Sequence, residues 1–140
     1  MTPEENRPEA ERQDRLRVLV LDDEPIVGQR LRQALAKHNF DLEIFDDPAQ
    51  ALVRLGQRHF DVVVTDLRME GTDGIGILEY VNAHCPDTRV ILITGYATVE
   101  VAREALVKGA FDFIAKPFKP NDLRQVIHKA ALSLGRSGIG

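Results

Sequence analysis

The chain has 140 residues, 44% of them hydrophobic, and a formal charge of −4; that is enough chain for one domain with a real core, and too apolar for a disordered polymer. The mild acidity, with no basic run anywhere, argues against a preformed nucleic-acid surface. The single Cys85 excludes an internal disulfide and fits a reducing, cytoplasmic setting, and no apolar run approaches the ~18 residues that would cross a bilayer.

Residues 1–15 are almost all charged or polar, with Pro3 and Pro8, and read as a disordered tail ahead of a folded domain over 16–134. Arg17 to Leu21 is an apolar strand that ends on Asp22 and Asp23. Glu24-Pro25 opens a helix that Asp23 can cap, with Val27, Leu31, Ala34 and Leu35 on one apolar face. Leu42 to Phe45 alternates as an edge strand. Asp47-Pro48 opens a second helix, with Ala51, Leu52 and Leu55 inward and Gly56 closing it. Val62 to Val64 is an uninterrupted β-branched run, the pattern of a strand buried on both faces of a parallel sheet, and it ends on Asp66. A third helix carries Ile75, Leu78 and Val81 and stops at Cys85-Pro86-Asp87. The fourth strand, Arg89 to Ile93, ends on Thr94-Gly95. Thr98 can cap the fourth helix, with Val99, Ala102, Ala105 and Leu106 inward and Gly109 at its end. Phe111 to Ala115 is the fifth strand and ends on Lys116-Pro117. The last helix begins at Asn121 or Asp122 and turns Leu123, Val126, Ile127 and Ala130 inward. Residues 135–140 are Gly/Ser-rich and read as a tail or linker.

Five strands alternating with five helices predict βαβ units, right-handed crossovers and a parallel sheet covered on both faces. In such a sheet the C-terminal ends of all strands share one edge, where open α/β sheets bind their ligands. Four strands deliver a polar group to that edge: Asp22 and Asp23, Asp66, Thr94 and Lys116. Packing gives no reason to place a lone carboxylate there, since an unpaired buried charge is costly. At ~5 Å and an effective dielectric near 20, each pair of these carboxylates repels by about 3 kcal/mol. A divalent cation removes that penalty, and an all-oxygen ligand set favours Mg²⁺. Lys116 and Thr94 then offer a charge and a hydroxyl to phosphoryl oxygens, and Asp66 is placed to act as a phosphoryl acceptor.

Taken in order, Asp22-Asp23, Val-Thr-Asp66-Leu-Arg-Met, Thr94-Gly95 and Lys116-Pro117-Phe118 resemble the receiver domain of two-component response regulators. The resemblance covers about residues 16 to 134. It implies a flavodoxin-like (βα)5 sandwich with strand order 2-1-3-4-5, the fold for which a receiver is a standing example. Position by position it implies Asp66 as phosphoacceptor and Asp22, Asp23, Asp66 and the backbone carbonyl of Arg68 as Mg²⁺ ligands. It likewise implies Thr94 as switch hydroxyl, Lys116 as phosphate-binding lysine, Phe113 as switch aromatic, and a cis Lys116-Pro117 bond. The stretches Thr94 to Ala97 and Gly109 to Ile114 resemble receivers of NtrC-type transcription activators. A sensor histidine kinase is then the implied phosphodonor. The face of the fourth helix, fifth strand and fifth helix is the implied output and homodimer surface, with no direct nucleic-acid or membrane contact by this chain. The chain departs from the family at Glu70, where Pro is common; Arg68 and Tyr96 occupy positions that tune water attack on the phosphoryl group.

Bland readings stand beside these. Asp23 can be a helix cap, Asp66 a turn residue and Phe113 a core aromatic. His38, His59, His84 and His128 lack ligand spacing and read as solvated residues, and Cys85 as a packed thiol. The competing chemistry is an Asp-nucleophile, Mg²⁺-dependent phosphatase of haloacid dehalogenase type. It wants a second acid two residues after the nucleophile, where this chain has Arg68. A flavin-binding electron carrier shares the fold, but Asp22-Asp23 would repel a cofactor phosphate. The expectation is a switch rather than a turnover enzyme, either stand-alone or part of a larger transcriptional regulator.

Overall fold

The computed structural model describes residues 15–36, 38–67, 74–95 and 99–135. Expectations that fall on residues 1–14 and 136–140, and on Arg68, Glu70, Tyr96 and Thr98, lie outside the described residues. In chain order the elements are β1 (Leu16–Leu21), α1 (Pro25–Leu35), β2 (Phe40–Phe45), α2 (Pro48–Gln57), β3 (Val62–Asp66), α3 (Gly74–His84), β4 (Arg89–Thr94), α4 (Val99–Val107), β5 (Asp112–Ala115) and α5 (Pro120–Ser133). The five strands form one parallel sheet in the order β2-β1-β3-β4-β5, as expected.

β1, β3 and β4 lie between other strands and carry the continuous apolar runs, because both of their faces are covered. Alternate residues feed two cores. Val18, Val20, Val62, Val64, Ile91 and Ile93 face α1 and α5, where they meet Leu31, Leu35, Leu123 and Ile127. Leu19, Leu21, Val63, Val90 and Leu92 face the other way, onto Ala51, Leu55, Ile77, Leu78, Val81 and Ala105. Each fully buried aliphatic side chain contributes about 1.5–3 kcal/mol relative to leaving it exposed, so both layers are needed to hold the sheet.

Among the described residues, strand β2 pairs with β1 alone and stands at the edge of the sheet. Its polar residues are tied to α2: Arg54 donates from Nε (2.8 Å) and from a terminal nitrogen (3.0 Å) to the Glu43 carboxylate, and Arg58 bridges Glu43 and Asp41. Burial alone would raise the Glu43 carboxyl, but the hydrogen bonds from Arg54 and Arg58 outweigh it and hold the group below its ordinary value.

Local details correct the sequence expectations in several places. Asp23 does not cap α1; Glu24 occupies the cap position, and Asp22 Oδ1 accepts from the Glu24 N–H at 2.9 Å. Gly56 is not a left-handed terminator, because α2 runs on to Gln57 and ends through the extended Arg58. α5 begins at Pro120, a residue or two before the expected start, with Asp122 Oδ2 accepting from the Lys119 N–H at 3.2 Å. Leu106, expected inward, is 47% exposed, because Ala105 holds the packed side of that turn. Arg15, assigned to the tail by composition, is buried and donates to the Phe40 carbonyl. Gly109 does end α4, at φ +102°, and the Asn82 side chain of α3 donates to the Lys108 carbonyl beside it at 2.7 Å.

Candidate functional site

The strand ends converge as the alternating pattern predicts. Asp22 follows β1, Asp66 ends β3, Thr94 ends β4 and Lys116 follows β5. Parallel registers bring them level: Leu21 lies opposite Thr65, Asp66 opposite Ile93, and Thr94 opposite Ala115. Asp22, Asp66 and Thr94 are buried, while Asp23 is exposed. One ligand oxygen from each of Asp22, Asp23 and Asp66 lies within 4.8 Å of the others. The expected backbone ligand Arg68 lies outside the described residues.

Lys116 reaches into this acidic cluster. Its Nζ donates to Asp66 Oδ2 at 2.7 Å and lies 3.2 Å from Asp22 Oδ2 and 3.2 Å from Glu24 Oε1. Burial on its own pulls the ammonium down. The hydrogen bond to Asp66 and the charges of Asp22 and Asp66 outweigh it, so Lys116 sits well above its ordinary value. The Lys116-Pro117 peptide is cis, and the Lys116 N–H donates to the Thr94 carbonyl at 2.8 Å, which locks the end of β5 to β4. Phe113 pairs opposite Leu92 and packs half-buried against the core that also holds Ala105 of α4. This is the packing of a core aromatic on a strand.

Asp22 is under strain of an electrostatic kind. Burial raises its carboxyl above the ordinary value, against the Glu24 N–H and the Lys116 charge, which lower it. Its Oδ2 is buried without an aligned hydrogen bond, although the ammonium is near. A carboxyl raised on folding costs stability at every pH above its folded value, and the cost disappears below the unfolded value near ~3.9. Asp22→Asn is therefore expected to stabilise the metal-free protein at neutral pH by on the order of 1 kcal/mol. The gain should shrink as the pH falls toward 4, and chemical denaturation across that range would measure it. The donor set among the described residues fits a hard divalent cation: three carboxylates, one orphaned oxygen among them, with the Lys116 ammonium beside them.

Two residues that the sequence reading passed over belong to the site. Glu24, read as a helix start, is a further carboxylate on Lys116. Gly74, the first residue of α3, packs so closely on the end of β3 that an added Cβ would lie 2.5 Å from the Asp66 carbonyl oxygen and 2.8 Å from Leu67 Cα. Its N–H donates to the Leu67 carbonyl at 2.8 Å. Backbone cannot give way as a side-chain tip can, so Gly74→Ala is expected to cost about 1–3 kcal/mol in thermal or denaturant unfolding. The hint in the sequence was the glycine itself, standing shortly after the strand.

Residues 18–128 match the response regulator receiver domain family. The chain is 40% identical over 114 residues to the regulatory protein AtoC of Escherichia coli strain K12, covering 81% of this chain and 25% of that protein. It thus spans about a quarter of the length of the curated relatives it matches, among which are NtrC-type transcriptional regulators. A CheY-like receiver domain from Methanospirillum hungatei JF-1 superposes with a TM-score of 0.81 at 26% identity, covering 89% of this chain and 99% of that one. The beryllofluoride-activated NtrC4 receiver domain dimer superposes with a TM-score of 0.79 at 30% identity, covering 84% and 98%.

Proposed function

The chain belongs to the response regulator receiver domain family of two-component systems, and from that membership we propose that it is a phosphorylation switch whose acceptor is Asp66. The observation that carries the reading is the meeting of the Asp22, Asp23 and Asp66 carboxylates with the Lys116 ammonium, 2.7 Å from Asp66 Oδ2. Asp22, Asp23, Asp66 and the Arg68 carbonyl would hold Mg²⁺, which, when bound, supplies charge neutralisation for phosphoryl oxygens. The Asp66 carboxylate oxygen attacks phosphorus in line, a P–O bond forms and the P–N bond of a phosphohistidine on a sensor kinase breaks. The imidazole leaves with the bonding pair, and Lys116 faces the new negative charge.

The phosphoryl group, carrying about −1.5 to −2 in place of the carboxylate's −1, draws in the Thr94 hydroxyl with its new oxygens, Phe113 follows, and the surface of α4, β5 and α5 shifts between two packings. Exposed Val107 and Leu106 on α4 give that surface an apolar component. Two-fold pairing through it is the proposed output, by analogy with the NtrC4 receiver dimer. Beside the acceptor, a groove of about 410 Å³ lined by Val27, Arg30, Leu31, Pro117, Phe118 and Pro120 offers a kinase helix somewhere to rest. The regulated output is proposed to be transcriptional. No helix among the described residues is long and apolar enough to cross a membrane, and a cytoplasmic setting is proposed on the family's account.

The test is labelling from acetyl phosphate with and without Mg²⁺. Expected is Mg²⁺-dependent uptake of one phosphoryl group per chain, lost on treatment with hydroxylamine as acyl phosphates are. Sustained multiple turnover of a generic phosphate ester would instead support the phosphatase alternative.

A further inference from the structure

Among the described residues the Lys116 ammonium has three carboxylate neighbours, and the switch described above uses two of them. Asp66 Oδ2 is 2.7 Å away, Asp22 Oδ2 is 3.2 Å away and Glu24 Oε1 is 3.2 Å away. Glu24 differs from the other two in kind. Its side chain is 59% exposed, and among the described residues the carboxylates able to close on one ion are Asp22, Asp23 and Asp66. It occupies the cap position of α1 yet makes no side-chain cap bond, a place where Ser, Thr, Asp or Asn would be the ordinary choice. Its carboxylate points across the rim to Lys116 instead.

We propose that Glu24 is a positioning residue for Lys116, the counter-ion that keeps the ammonium at the rim when Asp22 and Asp66 are engaged by a divalent cation. The proposal rests on the receiver reading of the site. A cation shared by Asp22 and Asp66 cancels the charge that draws Lys116 inward and repels the ammonium at close range. Without a third carboxylate the lysine either resists the cation or swings into solvent. With Glu24 it moves aside by a bond rotation and stays within reach of an oxygen added to Asp66. Glu24 thereby eases cation entry and holds the lysine ready for the phosphoryl group, although it touches neither.

Glu24→Gln removes the charge at constant length, on an exposed side chain whose loss leaves the cores intact. Magnesium chloride alone is titrated calorimetrically into four proteins: wild type, Glu24→Gln, Lys116→Met and the double variant. In the wild-type background Glu24→Gln is expected to weaken binding about threefold, and in the Lys116→Met background by less than about 1.5-fold, because a half-exposed ion pair has that scale. Lys116→Met alone is expected to bind Mg²⁺ more tightly than wild type. Equal weakening in both backgrounds would mean that Glu24 acts on the cation through its field, and would overturn the proposal. Unchanged affinity in both would overturn it as well. Wild-type protein that took up no Mg²⁺ would overturn the receiver reading itself, and this assignment with it.

Discussion

Asp66→Asn is expected to take up no phosphoryl group from acetyl phosphate or from a phosphorylated kinase, falling to the background of a labelling assay. The amide keeps the size of the side chain and the strand end that carries it. It removes the anionic oxygen that must attack phosphorus. Asp22 is buried and oriented by the Glu24 N–H. The variant should fold normally, since Asn can still accept from Lys116 Nζ, so loss of labelling with retained unfolding cooperativity isolates the chemistry. Continued hydroxylamine-sensitive labelling of Asp66→Asn would remove the proposed acceptor.

Lys116→Met should have the second largest effect, and on two separate readouts. Lys116 is the cation that balances Asp22 and Asp66, and it is 23% exposed at its side chain. Removing it leaves two neighbouring carboxylates uncompensated, which in partly buried settings costs about 2–3 kcal/mol at neutral pH without divalent cations. A lysine raised on folding contributes its full stabilisation below its unfolded value near ~10.4, and loses it only as the pH climbs through the higher folded value. The deficit of the variant should therefore be constant from pH 6 to 9 and close only at strongly alkaline pH. Millimolar Mg²⁺ should restore much of it, because binding to the folded state alone adds stability by mass action. Phosphorylation of the variant remains feasible, but beryllofluoride with Mg²⁺ should fail to drive the pairing expected of the wild type in a sizing experiment. A Lys116→Met protein as stable as wild type in EDTA would contradict the electrostatic account of the site.

The parts of the fold that were legible in the sequence are those where one physical demand dominates. β3 and β4 had to be central, because Val62 to Val64 and Val90 to Ile93 leave no polar face to give to water. From strand ends at Asp22, Asp66, Thr94 and Lys116, the edge they share followed from parallel topology alone. Helix ends were harder to read. Asp23 and Asp22 are equally good capping residues on paper, and the bend of the chain decides that Asp22 turns its carboxylate back to the Glu24 N–H. Gly56 looked like a terminator because glycine usually is one, yet α2 runs past it to Gln57, and an added Cβ there would make only ordinary contact, 3.5 Å from the Tyr80 hydroxyl. Leu106 was misplaced because a nine-residue helix offers too few turns to fix a face. Glu24 was invisible as a site residue because its partner is 92 residues away in the chain. Only three-dimensional convergence could reveal the contact.

The sheet also works as a bulkhead. The compartment on the α1 and α5 side, filled by Leu31, Leu35, Leu123 and Ile127, shares no buried side chain with the compartment that holds Phe113 and Ala105. A rotation of the Phe113 ring can therefore be absorbed by its own compartment, with strand backbone shielding the other. The molecule can change the α4 flank cheaply and keep α1, across the sheet, as a rigid mount. Amide exchange within α1 should be unaltered by beryllofluoride and Mg²⁺ while that of α4 changes, and equal change in both would show that the partition leaks.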